Sequence, residues 1–453
     1  MLFKHRATTL AVLLTLTGFS TAAHAATSSA DSLKSLITEG TVDGQVRAYY
    51  FDRFFGGKAV NQSAFSLGGY INAHTASLAG FSADVGFYTA NSLGGNPAGP
   101  ANDVTLMGPG TSINALGQAY LQYEIPQILI IRAGNQIVNT PWVNSSDSRL
   151  IPATYQGVFA QVSPYCGWNI YGMRIFRWKS RTSGDYYRDN LYYKTGFDGD
   201  PIYGGVGVVP STDPASNGIL AFGTSYKRYG IDAQAWYYNF YQFTQTVYGN
   251  AQYTLKTGSG VDPFLGAQVN REWQSNSLLN SSYAPGTSPI DGFKGNGVNS
   301  TAWGVIGGVD YDGGSALLGK GQLAASYNAI LYHQGAVGGG AIISPYTAGY
   351  ATDPLYTTSM TRGLVEMGPG NGWRISLTQH LLRNQFLFTA AYSEFHLQTA
   401  GYANDVYGDL TYFPQGWVKG LSIRDRVDIA HGDLSAAQGG YFIYNRVMLT
   451  YNF

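Results

Sequence analysis

Across 453 residues the chain carries 27 basic and 27 acidic side chains, so no basic bias points to a nucleic-acid partner. Charged residues are 12% of the chain and aromatics 14%, with 35 Tyr and 59 Gly, whereas soluble domains carry about 25% charge; the balance argues against an ordinary soluble domain. The single cysteine, Cys166, excludes an intramolecular disulfide and any Cys-x-x-Cys metal or redox site, and its expected role is packing.

Residues 1–25 start with Lys4, His5 and Arg6, continue through the apolar run Leu10-Ala-Val-Leu-Leu-Thr-Leu and end at Ala23-His-Ala25, the pattern of a secretory signal with an Ala-x-Ala cleavage site. Removing Lys4 and Arg6 leaves 25 basic against 27 acidic residues, a formal charge of −2. No later stretch has the roughly 18 uninterrupted apolar residues of a membrane-spanning helix, so insertion in a membrane requires a barrel. Residues 26–43, including the short helical pattern Ser32-Leu-Lys-Ser-Leu-Ile-Thr-Glu39, read as an N-terminal periplasmic tether rather than a periplasmic helix.

From residue 44 to 453, segments of about ten alternating residues are separated by clusters of Gly, Asn, Asp, Ser and Pro, with no change of composition that marks a second domain. The clearest strands are Gly44–Phe51, Phe65–His74, Gln118–Ile125, Ile128–Gln136, Leu220–Tyr226, Asp232–Phe240, Val305–Tyr311, Gln322–Ile330, Gly372–Leu381, Phe386–Phe395, Gly420–Ile429 and Tyr441–Phe453. Loops are expected at Gly94–Gly110, Asn139–Gln156, Gly196–Asn217, Asn276–Asn299, Gly335–Thr352 and Ala430–Gln438. The fold class is therefore all-β: one antiparallel transmembrane barrel of about 18 strands, with sixteen fitting the chain length almost as well, short periplasmic turns and long extracellular loops. The closing strand is its best signature. Tyr441, Ile443, Val447, Leu449, Tyr451 and Phe453 share an apolar row, while Tyr444, Arg446, Met448, Thr450 and Asn452 share the other.

The same alternation sorts arginines to the lumen. Arg47 opposes Val46 and Ala48; Arg374 opposes Trp373 and Ile375; Arg424 and Arg426 share a face with Ser422 and Asp428; Arg446 lies on the polar row of the last strand. Arg132 faces the same way as Gly134 and Gln136. Closure of the barrel predicts that Arg47 neighbours Arg446, with Arg424, Arg426 and then Arg374 further along the wall. Guanidinium groups in series suit relay of a carboxylate, since each makes two hydrogen bonds to it. The plainer alternative is that lumenal arginines pair with lumenal acids such as Asp428 or Glu124. Arg174, Arg177, Lys179, Arg181 and Arg188 read as a strand end and an exposed basic loop, suited to lipopolysaccharide or solvent.

Several segments resemble the OprD-type substrate-selective outer-membrane porins: Gly44-Gln-Val-Arg-Ala-Tyr-Tyr-Phe51, Gln118-Ala-Tyr-Leu-Gln-Tyr123, Ile131-Arg-Ala-Gly-Asn-Gln136, Thr140-Pro141 and Asp147-Ser-Arg-Leu-Ile-Pro-Ala-Thr-Tyr-Gln-Gly157. Ala221-Phe-Gly-Thr-Ser-Tyr226 and Gly372-Trp-Arg-Ile-Ser-Leu377 extend the similarity; Glu366-Met-Gly-Pro-Gly-Asn-Gly-Trp373 departs from it, where relatives carry a more charged turn. The resemblance implies 18 strands, a pore narrowed by one inward loop, and passive uptake of small carboxylate-bearing solutes along an arginine row. On that reading Asn139–Gln156 forms the constriction, with Ser145, Ser146, Asp147, Ser148, Arg149 and Tyr155 facing the solute; the residues by themselves equally fit a plain outer loop, and only the resemblance favours inward folding.

No cofactor or metal is expected. The five histidines beyond the signal (His74, His333, His380, His396, His431) form no His-x-x-x-His or His-Glu-x-x-His pattern, and no Gly-x-Ser-x-Gly elbow or phosphate loop occurs, so the chain does not read as an enzyme. Expected partners are small carboxylate solutes and the lipid and lipopolysaccharide of a Gram-negative outer membrane, in a monomer or homotrimer. The alternatives are a general diffusion porin and, further off, a barrel enzyme or adhesin.

Overall fold

Alternating side chains close on themselves as a wall. In the computed structural model β1 (Thr41–Phe55), β2 (Gln62–His74), β3 (Phe81–Asn91), β4 (Ser112–Ile125), β5 (Leu129–Gln136), β6 (Thr154–Tyr165), β7 (Trp168–Lys179), β8 (Ile219–Arg228) and β9 (Ile231–Phe240) run in chain order. They continue as β10 (Thr244–Thr254), β11 (Val261–Gln274), β12 (Val298–Asp312), β13 (Leu318–Ile330), β14 (Gly370–Leu381), β15 (Phe386–Leu397), β16 (Gly401–Tyr412), β17 (Leu421–Gly432) and β18 (Tyr441–Asn452). Every neighbour is antiparallel, and β1 pairs with both β2 and β18, so the 18-stranded sheet has no free edge.

The structure describes residues 29–56, 59–193, 209, 213–279, 297–346, 352–398, 401–416, 418–433 and 440–453. The signal at 1–25, most of the loops at Gly196–Asn217 and Asn276–Asn299, and parts of those at Gly335–Thr352 and Ala430–Gln438 lie outside the described residues.

The outer rows are apolar and open: Leu121 is 66% exposed, Leu265 69% and Phe222 54%, a degree of exposure that suits lipid rather than water. Aromatics gather at the rim of short turns, where Phe81 lies 4.7 Å from Tyr123 and Phe386 4.7 Å from Tyr412, centroid to centroid. Tyr451 and Phe453 of the closing strand join this belt. The seam between β1 and β2 depends on a residue without a side chain: Gly69 has φ +135°, and a Cβ there would collide with the Gln45 carbonyl oxygen. Gly69→Val is therefore expected to prevent assembly, read as loss of the heat-modifiable band on an unboiled gel; Gly110→Ala, whose Cβ would meet nothing nearer than the Ser112 carbonyl oxygen at 4.0 Å, leaves the band in place.

Among the described residues, several connecting segments fold into the lumen. Segments between β3 and β4, β5 and β6, β7 and β8, and β13 and β14 turn inward and pack on the wall. A column of rings runs up β9, with Trp236 and Tyr238 5.7 Å apart and Tyr238 and Phe240 5.4 Å apart; Phe240 then meets Tyr346 of the β13–β14 segment at 6.0 Å. This column is buried, so it seats the inward segments instead of lining the path. It also explains why alternation did not single out β3, β6, β7, β10, β11 and β16. Their inner rows carry Tyr88, Tyr155, Met173, Ile175, Tyr248, Phe264 and Tyr407, so the polar contrast between faces is lost.

Residues 26–43 are not all tether. Leu33–Thr38 is a helix, α1, whose Ser32 and Ser35 cap each other reciprocally, and the Ala76 amide donates to the Leu36 carbonyl at 2.9 Å. The capping pair stabilises a helix too short to persist alone. β1 starts at Thr41, three residues before the sequence-based boundary.

Candidate functional site

The inner row of β1 presents Gln45, Arg47, Tyr49, Phe51 and Arg53; that of β18 presents Tyr444, Arg446 and Met448. Arg424, Arg426 and Asp428 project from β17, Asp405, Tyr407 and Asp409 from β16, and Arg374 from β14, all on the lumenal row. The register corrects one expectation. Arg446 stands opposite Phe51, whereas Arg47 stands opposite Thr450, four residues away, or about 13 Å along the strand. Seam register follows from the tilt and shear of the whole barrel, which the two strand sequences do not contain. The true cross-strand neighbour of Arg446 is Arg426.

Pairing divides the arginines into two groups. Arg47 is 3% exposed and grips Asp147 with two hydrogen bonds, at 2.5 and 2.7 Å, and the Arg149 carbonyl at 2.6 Å. Arg424 makes a two-point contact with Asp409, at 2.9 and 2.5 Å; Arg426 lies 3.6 Å from the same carboxylate and donates to the Tyr407 hydroxyl at 3.0 Å. Arg53, which the sequence reading left out because it ended the strand at Phe51, pairs with Asp103 at 3.1 Å. Burial alone would raise the Asp103 carboxyl; Arg53, Thr105 and Arg149 overcome that and hold it below the usual carboxylate value.

Arg374 and Arg446 differ. Arg374 donates to the Thr358 carbonyl at 2.8 Å and the Ser393 hydroxyl at 3.4 Å, and forms no ion pair among the described residues. Arg446, 3% exposed, lies between Tyr444 and Phe51, 4.2 and 5.0 Å from their centroids, and among the described residues has neither a hydrogen bond nor a carboxylate partner. The acids named from sequence, Asp428 and Glu124, pair with none of these arginines. Glu124 accepts from Gln122 at 2.9 Å, and Asp428 is occupied by the inward segment described below. Arg132 is set apart on β5, bonded to Gln122 at 2.7 Å.

The segment between β5 and β6 crosses the lumen. Trp142 donates to Asn270 of β11 at 3.0 Å, while Asp147 reaches Arg47 of β1. Only Asp147 and Ser148 of the six expected constriction residues keep appreciable exposure. Ser145, Ser146 and Arg149 are buried, Arg149 holding the Thr105 carbonyl at 2.6 Å. Tyr155 is fully buried in β6, its hydroxyl donating to the Asn144 carbonyl at 2.8 Å, so it supports the loop from below. The basic run after β7 is also corrected: Lys179 is fully buried on the Pro152 carbonyl at 3.0 Å, and Arg181 meets Ser148 at 3.3 Å. These two cations clamp the inward loop and do not face solvent.

Sequence reasoning missed a second inward element, between β13 and β14. Asp428 accepts from the Ser359 hydroxyl at 3.1 Å, the Thr361 amide at 2.9 Å and the Thr361 hydroxyl at 3.0 Å; Arg362 faces Asp405 at 3.7 Å. Its hydroxyl-rich stretch from 357 to 361 was the available signal, legible only once a carboxylate partner is known. Between this segment and the wall lies a cavity whose lining includes Asp353, Tyr356 and Met360 on one side and Arg374, Tyr407 and Arg426 on the other. The wall side thus carries two guanidinium groups, and the segment side carries one carboxylate among hydroxyl and apolar groups.

The family described as outer membrane porin, OprD family, matches residues 35–276. Among solved structures, Pseudomonas aeruginosa OccK9 (OpdG) superposes with a TM-score of 0.72 at 15% identity, over 92% of this chain and 99% of that one. Pseudomonas aeruginosa OccK2 (OpdF) in complex with glucuronate and Pseudomonas aeruginosa OpdK with vanillate each give a TM-score of 0.66 at 13% identity, again over 92% of this chain and 99% of theirs. No curated protein matches the chain.

Proposed function

Because the chain belongs to the OprD family of outer membrane porins, channels of the Gram-negative outer membrane, we propose that it passes small carboxylate-bearing solutes, with Arg374 and Arg446 as the groups that receive the carboxylate. One observation carries this reading: Arg446 is a buried guanidinium with no anion beside it. Such a group is costly unless a counter-charge completes it, and a carboxylate does so with two charge-assisted hydrogen bonds. Arg426 beyond it raises the local positive field. Arg47, Arg53 and Arg424 already hold carboxylates, so in this reading they shape the wall, and the relay is shorter than a continuous row of arginines. Glucuronate and vanillate, bound in two structural neighbours, are both carboxylates. Residues 1–25 serve as the export signal, and 44–453 as the barrel apart from its earlier start at Thr41.

Arg446→Ala tests the reading in liposomes loaded through the purified porin. A charge-assisted hydrogen bond contributes about 1.5–3 kcal/mol, so carboxylate flux at low concentration should fall about ten-fold or more, while flux of the matched neutral amides is unchanged. Equal effects on both solute classes, or none on either, would refute a carboxylate-selective path and leave a general diffusion porin.

A further inference from the structure

Lys179 and Arg181 hold the inward loop, but the other three basic residues around the end of β7 are turned the opposite way. Strict alternation would put Arg174 and Arg177, three residues apart, on opposite faces. In the ladder with β6, however, Gln156 pairs with Arg177 and Gly157 with Ile175, so Phe176 is an extra residue and the strand bulges there. The bulge resets the period. Arg174 faces outward opposite Val158, which is 41% exposed, and Arg177 faces outward opposite Gln156, while Ile175 and Trp178 on the inner row are fully buried. Phe176, 47% exposed, lies between the two arginines. Arg174 is fixed in place: it donates to the Ile175 carbonyl at 2.5 Å and the Ile219 carbonyl of β8 at 3.2 Å, and packs on the rings of Phe176 and Tyr241 at 4.6 and 4.8 Å. Backbone hydrogen bonds join Tyr187 to Trp178 in an antiparallel bridge, which sets Arg188 one position on, alongside Arg177 and on its outward side. Arg188 is exposed and donates to the Asn217 side-chain oxygen at 3.0 Å; Arg177 is exposed too. Among the described residues none of the three arginines forms an ion pair, with Asp185, Asp189 or any other carboxylate.

We propose that Arg174, Arg177 and Arg188 form a seat for lipopolysaccharide, its lipid phosphates held by the guanidinium groups and its acyl chains lying on the apolar wall beneath. The cluster sits where the long β7–β8 connection leaves the barrel, the extracellular end, and so meets the outer leaflet. Like charges side by side repel, and with no carboxylate between them an anion from outside removes the repulsion. A guanidinium matches two phosphate oxygens with two hydrogen bonds, and Arg174, already fixed by two carbonyls and two rings, loses little freedom in doing so. Toward the membrane the same outward face continues in Val158, Ile170 and Phe222, all exposed, which gives an amphiphile hydrocarbon contact directly below its charged groups. Phe176 and Tyr241 mark the interface between the two regions. Cations at the rim of short turns are placed differently: Lys227 pairs with Asp232 at 2.5 Å and Lys256 with Asp262 at 3.0 Å. Those pairs leave less positive charge for a lipid.

The test is native mass spectrometry of the folded porin in detergent, titrated with bisphosphorylated lipid A, with the same lipid stripped of its phosphates, and with phosphatidylglycerol. The wild-type porin should hold bisphosphorylated lipid A about ten-fold or more tighter than either of the others. Arg174→Gln, Arg177→Gln and Arg188→Gln combined should abolish that preference. Arg228→Gln, which removes an exposed cation at the rim of short turns, should bind as the wild type does. The heat-modifiable band checks that each variant is folded. Equal binding of the two forms of lipid A, equal binding of phosphatidylglycerol, or an undiminished preference in the triple variant overturns the seat. Lipid binding on the outer face is read without any solute in the pore, so the seat and the carboxylate path fail independently.

Discussion

Asp147→Ala should release the β5–β6 loop from the β1 wall and raise conductance. Both carboxylate oxygens of Asp147 bind Arg47, whose side chain is 4% exposed against 32% for the aspartate. Truncating one partner of a buried pair leaves the other charge uncompensated, which costs about 3–5 kcal/mol; with Asp147 one-third exposed, the lower end applies. About 3 kcal/mol is roughly a hundred-fold change in the ratio of docked to released loop. The Arg149 carbonyl retains its contact with Arg47 at 2.6 Å, so some docking persists. A second consequence separates this from simple loosening. Freed of its aspartate, Arg47 becomes a third receptor for anions, and the reversal potential in a KCl gradient should move toward chloride selectivity. Unchanged conductance with unchanged ion selectivity would show that the ion pair does not position the constriction.

Asp428→Ala should act on the opposite inward segment, with an effect of similar size. Asp428 is fully buried and receives three donors, from Ser359 and twice from Thr361. Hydrogen bonds to a charged group contribute about 1.5–3 kcal/mol each, and unmet donors add a desolvation cost if they stay buried. The segment therefore leaves the wall rather than keep them. The cavity bounded by Asp353, Tyr356 and Met360 opens, so discrimination between carboxylates and matched amides should fall even though Arg374 and Arg446 are intact. Asp428→Asn retains one acceptor oxygen and should give an intermediate loss. Liposome flux of a carboxylate and its amide through both variants measures this, with the heat-modifiable band confirming the barrel. Full discrimination in Asp428→Ala would mean that the segment has no part in selection.

The two variants also show where reading the sequence succeeds and where it stops. Arg47 and Asp428 were both assigned to the lumen by alternation, because period two is a local property of an extended chain. Their partners were not assigned, because Asp147 lies 100 residues from Arg47, and Thr361 lies 67 residues from Asp428. Arg446 illustrates both sides within one residue. Its face follows from Tyr444, Met448 and Thr450, yet its neighbour is Arg426 instead of Arg47, since four residues of seam offset cannot be read from either strand. The inner aromatics of β9 are a different case: alternation marks the strand, but only the fold shows that these rings are the floor on which the inward segments rest.

By itself, then, the sequence determined the barrel, its membrane address and the inward face of each arginine, because hydrophobic alternation and a terminal aromatic belt act over a few residues. Tertiary structure decided which arginines are paired with a carboxylate and which, among the described residues, have none beside them. That choice rests on register and on segments folded back across the lumen, where charges far apart in the chain meet in a space that water has largely left.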